Sequence, residues 1–158
     1  MTSAAGGNKG PGITPTQGLY CRQKRAPGKG VSVRGGSVAR VLVIDDERVI
    51  REVIADALEL TGHEVLAVAD GRAGVDAARE GSYELVITDI VLPDCNGFDT
   101  IAALQGEDPS LKFLVISGGS KKLREEYCQS SGAGSSHRVL EKPFKIEELI
   151  RVVGELVE

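Results

Sequence analysis

Short apolar runs ending in polar residues recur from residue 40 onward, each followed by a stretch with helical spacing. Val41-Leu42-Val43-Ile44 and Leu85-Val86-Ile87 are continuous and rich in β-branched residues. That favours strands covered on both faces, as in a parallel sheet. Further strands are predicted over His63 to Ala69, Phe113 to Ile116 and around Arg138 to Leu140. The first intervening helix carries Val49, Ile50, Val53, Ile54, Ala57 and Leu58 at i, i+3, i+4 spacing and stops at Thr61-Gly62. Others run from Asp70-Gly71 to Gly81, from Gly97-Phe98 to just before Pro109, and from about Lys121 to Ser131. The last spans Lys145 to Val157, with Ile146, Leu149, Ile150, Val153 and Leu156 inward. Five strands alternating with five helices predict an α/β fold: a doubly wound, five-stranded parallel sheet flanked by five helices, with right-handed crossovers. The pattern leaves the strand order open.

A chain of 158 residues supplies one ordinary domain. Six of its 19 Lys/Arg and none of its 23 Asp/Glu lie in residues 1–39, so that stretch carries +6 and the remainder −10. Gly, Pro, Ser and Thr dominate residues 1–39, with no sustained period. Such a composition buries too little surface to offset its ordering entropy. A disordered basic tail over 1–39 and a folded domain over 40–158 are therefore expected. Arg22-Gln23-Lys24-Arg25 could serve a polyanion, but a solvated tail is the simpler reading, so nucleic acid is not expected as a partner. No apolar run approaches the ~18 residues of a membrane span and no secretory signal core is present, so a cytoplasmic location is expected. Cys21, Cys95 and Cys128 match no metal or disulfide spacing. Nothing after the last helix is long enough for a DNA-binding or catalytic domain, so action through binding is expected.

The polar residues of chemical interest stand at strand ends. Asp45-Asp46 follow the first strand, Asp89 ends the third, Ser117 the fourth and Lys142 the fifth. Parallel strands bring these ends to one sheet edge, where open α/β sheets hold ligands. Each residue has a plainer use: an acidic pair favoured by a helix dipole, a Ser-Gly-Gly turn, a solvated lysine. Their coincidence on one edge favours chemistry. Crowded carboxylates cannot all ionise cheaply. A hard divalent cation relieves them, and Mg²⁺ suits a few carboxylates, waters and a phosphate. Asp89 is then the carboxylate suited to attack a phosphoryl group and form an acyl phosphate. Lys142 and Mg²⁺ would neutralise charge, while the Ser117 hydroxyl and the backbone amides after Asp89 and Ser117 bond phosphoryl oxygens.

Residues 40–158 resemble the receiver domains of response regulators in bacterial two-component signalling. The resemblance rests on Val43-Ile44-Asp45-Asp46-Glu47, Asp89-Ile90-Val91-Leu92-Pro93-Asp94-Cys95-Asn96-Gly97, Ile116-Ser117-Gly118-Gly119 and Glu141-Lys142-Pro143-Phe144, in that order. It implies a flavodoxin-like fold with Asp89 as phosphoacceptor. It implies Mg²⁺ bound by Asp46 and Asp89, by the Val91 backbone carbonyl, and by Asp45 through water. Ser117 resembles the switch hydroxyl, Lys142 the lysine that pairs with the phosphoryl group, and Lys142–Pro143 a cis bond. The implied partners are a sensor histidine kinase or histidine phosphotransfer protein and an output protein of unstated identity. The implied activity is limited to phosphorylation and dephosphorylation of the domain itself.

Three departures from the family pattern stand out. Val139 occupies the position three before the lysine, where many members carry an aromatic switch residue. Residues 131–137 make a longer link than usual. Val91 is apolar where many members are polar, so slow loss of the phosphoryl group is expected. Two other function classes remain open at this point. One is an interaction module that is never phosphorylated, which the complete set of Asp45, Asp46, Asp89, Ser117 and Lys142 disfavours. The other is an aspartyl-nucleophile phosphatase, whose Asp-x-Asp-x-Thr/Val run Asp45-Asp46-Glu47-Arg48 does not match.

Overall fold

The computed structural model describes residues 37–119, 121–130 and 136–158. Ten elements alternate strictly: β1 (Arg40–Ile44), α1 (Arg48–Leu60), β2 (Glu64–Val68), α2 (Gly71–Glu80), β3 (Leu85–Asp89), α3 (Gly97–Glu107), β4 (Lys112–Ser117), α4 (Lys121–Ser130), β5 (His137–Glu141) and α5 (Ile146–Val157). Every strand pair is parallel, in the order β2-β1-β3-β4-β5. The expected doubly wound sheet is the observed fold. The order reverses direction between β1 and β3, and that switch point is where such sheets open a crevice at their carboxyl ends.

The pleat sorts each central strand into two cores, because successive side chains point to opposite faces. Val41, Val43, Leu85, Ile87, Leu114 and Ile116 face α1 and α5, where Ile54, Leu58, Leu149, Val152, Val153 and Leu156 meet them. Leu42, Ile44, Val86, Phe113 and Val115 face the other way, toward Ile101 and Leu104 of α3 and Tyr127 of α4. Ile54, Leu58, Leu104 and Leu149 are fully buried, and truncating any of them to alanine would cost about 2–5 kcal/mol.

Two expectations need correction. The apolar stripe on α1 is wider than its buried face: Val49 is 69% and Val53 41% exposed, and only Ile54, Ala57 and Leu58 are buried. The helix meets the sheet and α5 along a narrower seam than its periodicity suggests. Ala39, assigned to the tail by composition, is buried in the core, and its amide donates to His63 Nδ1 at 3.2 Å. The expected disorder of the tail, for residues 1–36, and most of the long 131–137 link lie outside the described residues.

Helix entry is set by loop side chains. Asp70 caps α2 by accepting from the Ala73 amide at 2.7 Å, and Asn96 caps α3 by accepting from the Phe98 amide at 3.1 Å. Glu47 precedes α1 without capping it; its carboxylate is engaged elsewhere.

Candidate phosphoacceptor site

The strand register builds the site. Ile44 pairs with Thr88 and Asp89 with Ile116, so Asp45 follows β1 level with Asp89 at the end of β3, and Ser117 lies one step beyond on β4. Ser117 pairs with Glu141, and the Lys142 amide donates to the Ser117 carbonyl at 2.8 Å. The carboxyl ends of β1, β3, β4 and β5 thereby meet. Asp45, Asp89 and Ser117 are buried.

Lys142 reaches across this edge. Its ammonium donates to Asp89 Oδ2 at 2.7 Å, Asp45 Oδ2 at 3.0 Å and Glu47 Oε1 at 3.1 Å. The other oxygen of Asp89 accepts from the Val91 amide at 2.9 Å, and the other oxygen of Asp45 from the Glu47 amide at 2.8 Å. Burial pushes the Asp45 carboxyl above the usual carboxylate range, although Lys142 and the Glu47 amide pull the other way. Burial by itself would lower the pKa of Lys142, but its bonds to Asp89 and Asp45 outweigh that and raise it well above the ordinary lysine value. The ammonium is thus firmly charged. Arg51 steadies the acidic loop by donating to the carbonyls of Asp45 at 2.6 Å and Asp46 at 2.9 Å. The Lys142–Pro143 bond is cis. Beside it, Gly118 lies against the lysine stem, and Gly119 turns the chain at a φ of +119°, a conformation that favours glycine.

The sequence-predicted residues divide here. Asp45, Asp89 and Lys142 converge in direct contact, and Ser117 stands at the same edge. The side chain of Asp46 is exposed and lies outside the group of carboxylates with oxygens within 4.8 Å of one another, which is Asp45, Glu47 and Asp89. Glu47 is the participant the sequence reading missed. Its only signal was an acidic residue directly after the Asp pair. Val91 is 67% exposed at the rim. Val139 is half-buried against the second core. On the same side, Tyr127 Oη lies 2.7 Å from His137 Nδ1, linking α4 to β5.

A model of the response regulator receiver domain family matches residues 41–154. The chain belongs to this family. The receiver is 35% identical over 115 residues to the probable transcriptional regulatory protein TcrX of Mycobacterium tuberculosis, covering 73% of this chain and 48% of that one. It is 36% identical over 117 residues to the DNA-binding transcriptional regulator NtrC of Azospirillum brasilense, covering 74% and 24%. The chain therefore spans about half, or about a quarter, of the length of these relatives. Among solved structures, the chemotaxis response regulator CheY4 of Vibrio cholerae superposes with a TM-score of 0.67 at 25% identity, over 76% of this chain and 99% of that one. NtrX from Brucella abortus, in complex with ADP, gives 0.67 at 30%, over 76% and 27%. Among the described residues, no helix of this receiver is long and apolar enough to cross a membrane.

The residues present fit a hard divalent cation. Three carboxylates offer oxygens within 4.8 Å of one another, and among the described residues the Lys142 ammonium is the cation that pairs with them.

Proposed function

We propose that this receiver accepts a phosphoryl group onto Asp89 from a phosphohistidine on a sensor kinase or phosphotransfer protein. The observation that carries the reading is the setting of Asp89: a buried carboxylate at the end of β3, with the Lys142 ammonium on one oxygen and the Val91 amide on the other. An oxygen of Asp89 attacks phosphorus, and the P–N bond breaks. Its electron pair stays on the ring nitrogen, and with the second ring nitrogen protonated the donor leaves as neutral imidazole. Asp89, the Val91 carbonyl, Asp45 through water, and Asp46, once its exposed side chain turns inward, are the residues proposed to hold Mg²⁺. When bound, that ion supplies charge neutralisation for the phosphoryl oxygens.

Lys142 makes three bonds, so it can pass one N–H to a phosphoryl oxygen while keeping its bond to Asp45. Glu47 is the most exposed of its three partners, at 60% for the side chain, and is the contact released at least cost. Ser117, one residue beyond the partner of Asp89 on β4, supplies the hydroxyl drawn toward the phosphoryl group. That movement shifts the population of the α4–β5 face and presents it to an output partner. The domain works as a stoichiometric acceptor in the cytoplasm, turning over only its own phosphoryl group.

Wild-type protein given radiolabelled acetyl phosphate and Mg²⁺ is expected to take up hydroxylamine-labile label, and Asp89→Asn none. Label retained at wild-type level in Asp89→Asn would overturn the assignment.

A further inference from the structure

The segment between Asp89 and α3 is hydrogen-bonded to α2 by one side chain. Asp94, five residues past Asp89, spends both carboxylate oxygens on the opening amides of α2: Oδ1 accepts from Gly71 at 3.0 Å and Oδ2 from Arg72 at 2.9 Å. These amides belong to the first turn of α2, where no intrahelical acceptor exists, and the helix dipole favours a negative charge there. The slight burial of Asp94 acts against its ionisation, but the Arg72 and Gly71 amides outweigh that and hold its carboxyl below the usual range. The fit around this tie is tight. A methyl group on Gly71 would stand 2.3 Å from Cys95 Sγ and 2.4 Å from Thr100 Oγ1.

The rest of the segment hangs on few points. The Ile90 amide donates to the Ile116 carbonyl at 3.3 Å, and the Gly97 amide to the Ile90 carbonyl at 2.8 Å. Val91 and Asn96 form an isolated antiparallel bridge. Leu92 is buried, but Pro93, Asp94 and Asn96 are exposed. Between the bridge residues, Leu92 packs into the second core and Cys95 Sγ lies 3.0 Å from Thr100 Oγ1 of α3, while Asp94 is the side chain that hydrogen-bonds the turn to α2. The turn holds Val91, whose amide sits on Asp89 Oδ1.

We infer that Asp94 is a positioning residue for the phosphoacceptor: by fastening the β3–α3 turn to α2, it keeps the Val91 backbone aimed at Asp89. The inference rests on the reading of Asp89 given above. Asp70 offers the matching control. It caps the same helix through Ala73 and does not reach the turn, so Asp70→Ala weakens α2 and leaves the tether in place.

The test compares label uptake from acetyl phosphate with Mg²⁺ in wild type, Asp94→Ala, Asp94→Asn and Asp70→Ala, at a temperature where circular dichroism shows all four folded. Asp94→Ala is expected to slow the first-order labelling constant at saturating donor by about tenfold, the scale of a misaimed reacting group. Asp94→Asn keeps one acceptor oxygen and is expected to recover most of the rate, and Asp70→Ala to stay within about twofold of wild type, since it breaks a cap and not the aim. Hydrogen exchange at the Val91 amide, measured by NMR without donor, is expected to speed up in Asp94→Ala only. Equal slowing in Asp94→Ala and Asp70→Ala, or unchanged rate and exchange in Asp94→Ala, overturns the inference. A wild type that takes no label overturns the reading of Asp89 and with it the role of Asp94 in that reaction.

Discussion

Gly97 opens α3 against the backbone of Asp89 and Ile90, and replacing it with alanine tests how rigid that junction is. A Cβ at residue 97 would stand 2.4 Å from the Asp89 carbonyl oxygen and 2.8 Å from both Cα and the carbonyl oxygen of Ile90. All three atoms are backbone, so no side chain can swing away. The closest contact falls roughly 1 Å short of ordinary van der Waals distance, and either α3 or the end of β3 must move. Overpacking of this kind costs about 1–3 kcal/mol. Straining the 2.8 Å bond from the Gly97 amide to the Ile90 carbonyl adds about 1 kcal/mol. Helix propensity returns about 1 kcal/mol, leaving a net loss of about 1–3 kcal/mol out of a total of about 5–15. Gly154, inside α5, has nothing within 4 Å of its would-be Cβ. There the same substitution is expected to gain about 0.5–1 kcal/mol. In urea unfolding followed by circular dichroism, the midpoint of Gly97→Ala should fall by about 0.7–2 M and that of Gly154→Ala rise by about 0.5 M, for a slope near 1.5 kcal/mol/M. Gly97→Ala with a midpoint at or above wild type would refute the argument from contact distance.

Two further outcomes follow from other residues. Val91 is exposed beside Asp89 and its side chain has no polar atom to orient a water; Val91→Asn is expected to shorten the lifetime of the phosphoryl group by about threefold to tenfold, followed as loss of label after donor removal. Burial lowers the pKa of His63, whose Nδ1 accepts the Ala39 amide in its neutral form. A depressed folded pKa contributes stability that is complete above the unfolded value of about 6.5 and is lost as pH falls through the folded value. The urea midpoint is therefore expected to drop between pH 7.5 and 5.5, and His63→Gln to flatten part of that drop. His137, also lowered by burial, accounts for a further part.

Local pattern carried the elements. Short β-branched runs and i, i+3, i+4 stripes depend on neighbours within one turn or one strand, so all ten elements were legible to within a residue or two at their ends. The α1 stripe shows where that stops. Val49 and Val53 satisfy the helical period, yet the helix turns them outward, because the width of its buried face is set by the sheet and α5. Asp45, Asp89, Ser117 and Lys142 could be named in advance because each follows a strand, and parallel strands share an edge. Glu47 could not, because its part depends on how far the Lys142 side chain reaches. Asp94 was hidden for the same reason: its partners, Gly71 and Arg72, lie 23 and 22 residues away.

By itself, then, the amino-acid sequence determined the alternating elements, their pairing into a parallel α/β sheet, and the polar residues at its carboxyl edge. Those depend on backbone geometry and on periodicity that any nearby residues obey. The order β2-β1-β3-β4-β5, the three-way hold on Lys142 and the tie from Asp94 to α2 were decided by the tertiary structure alone. Each is a contact between groups far apart in the chain, and its distance and direction exist only once the two cores have packed on either side of the sheet.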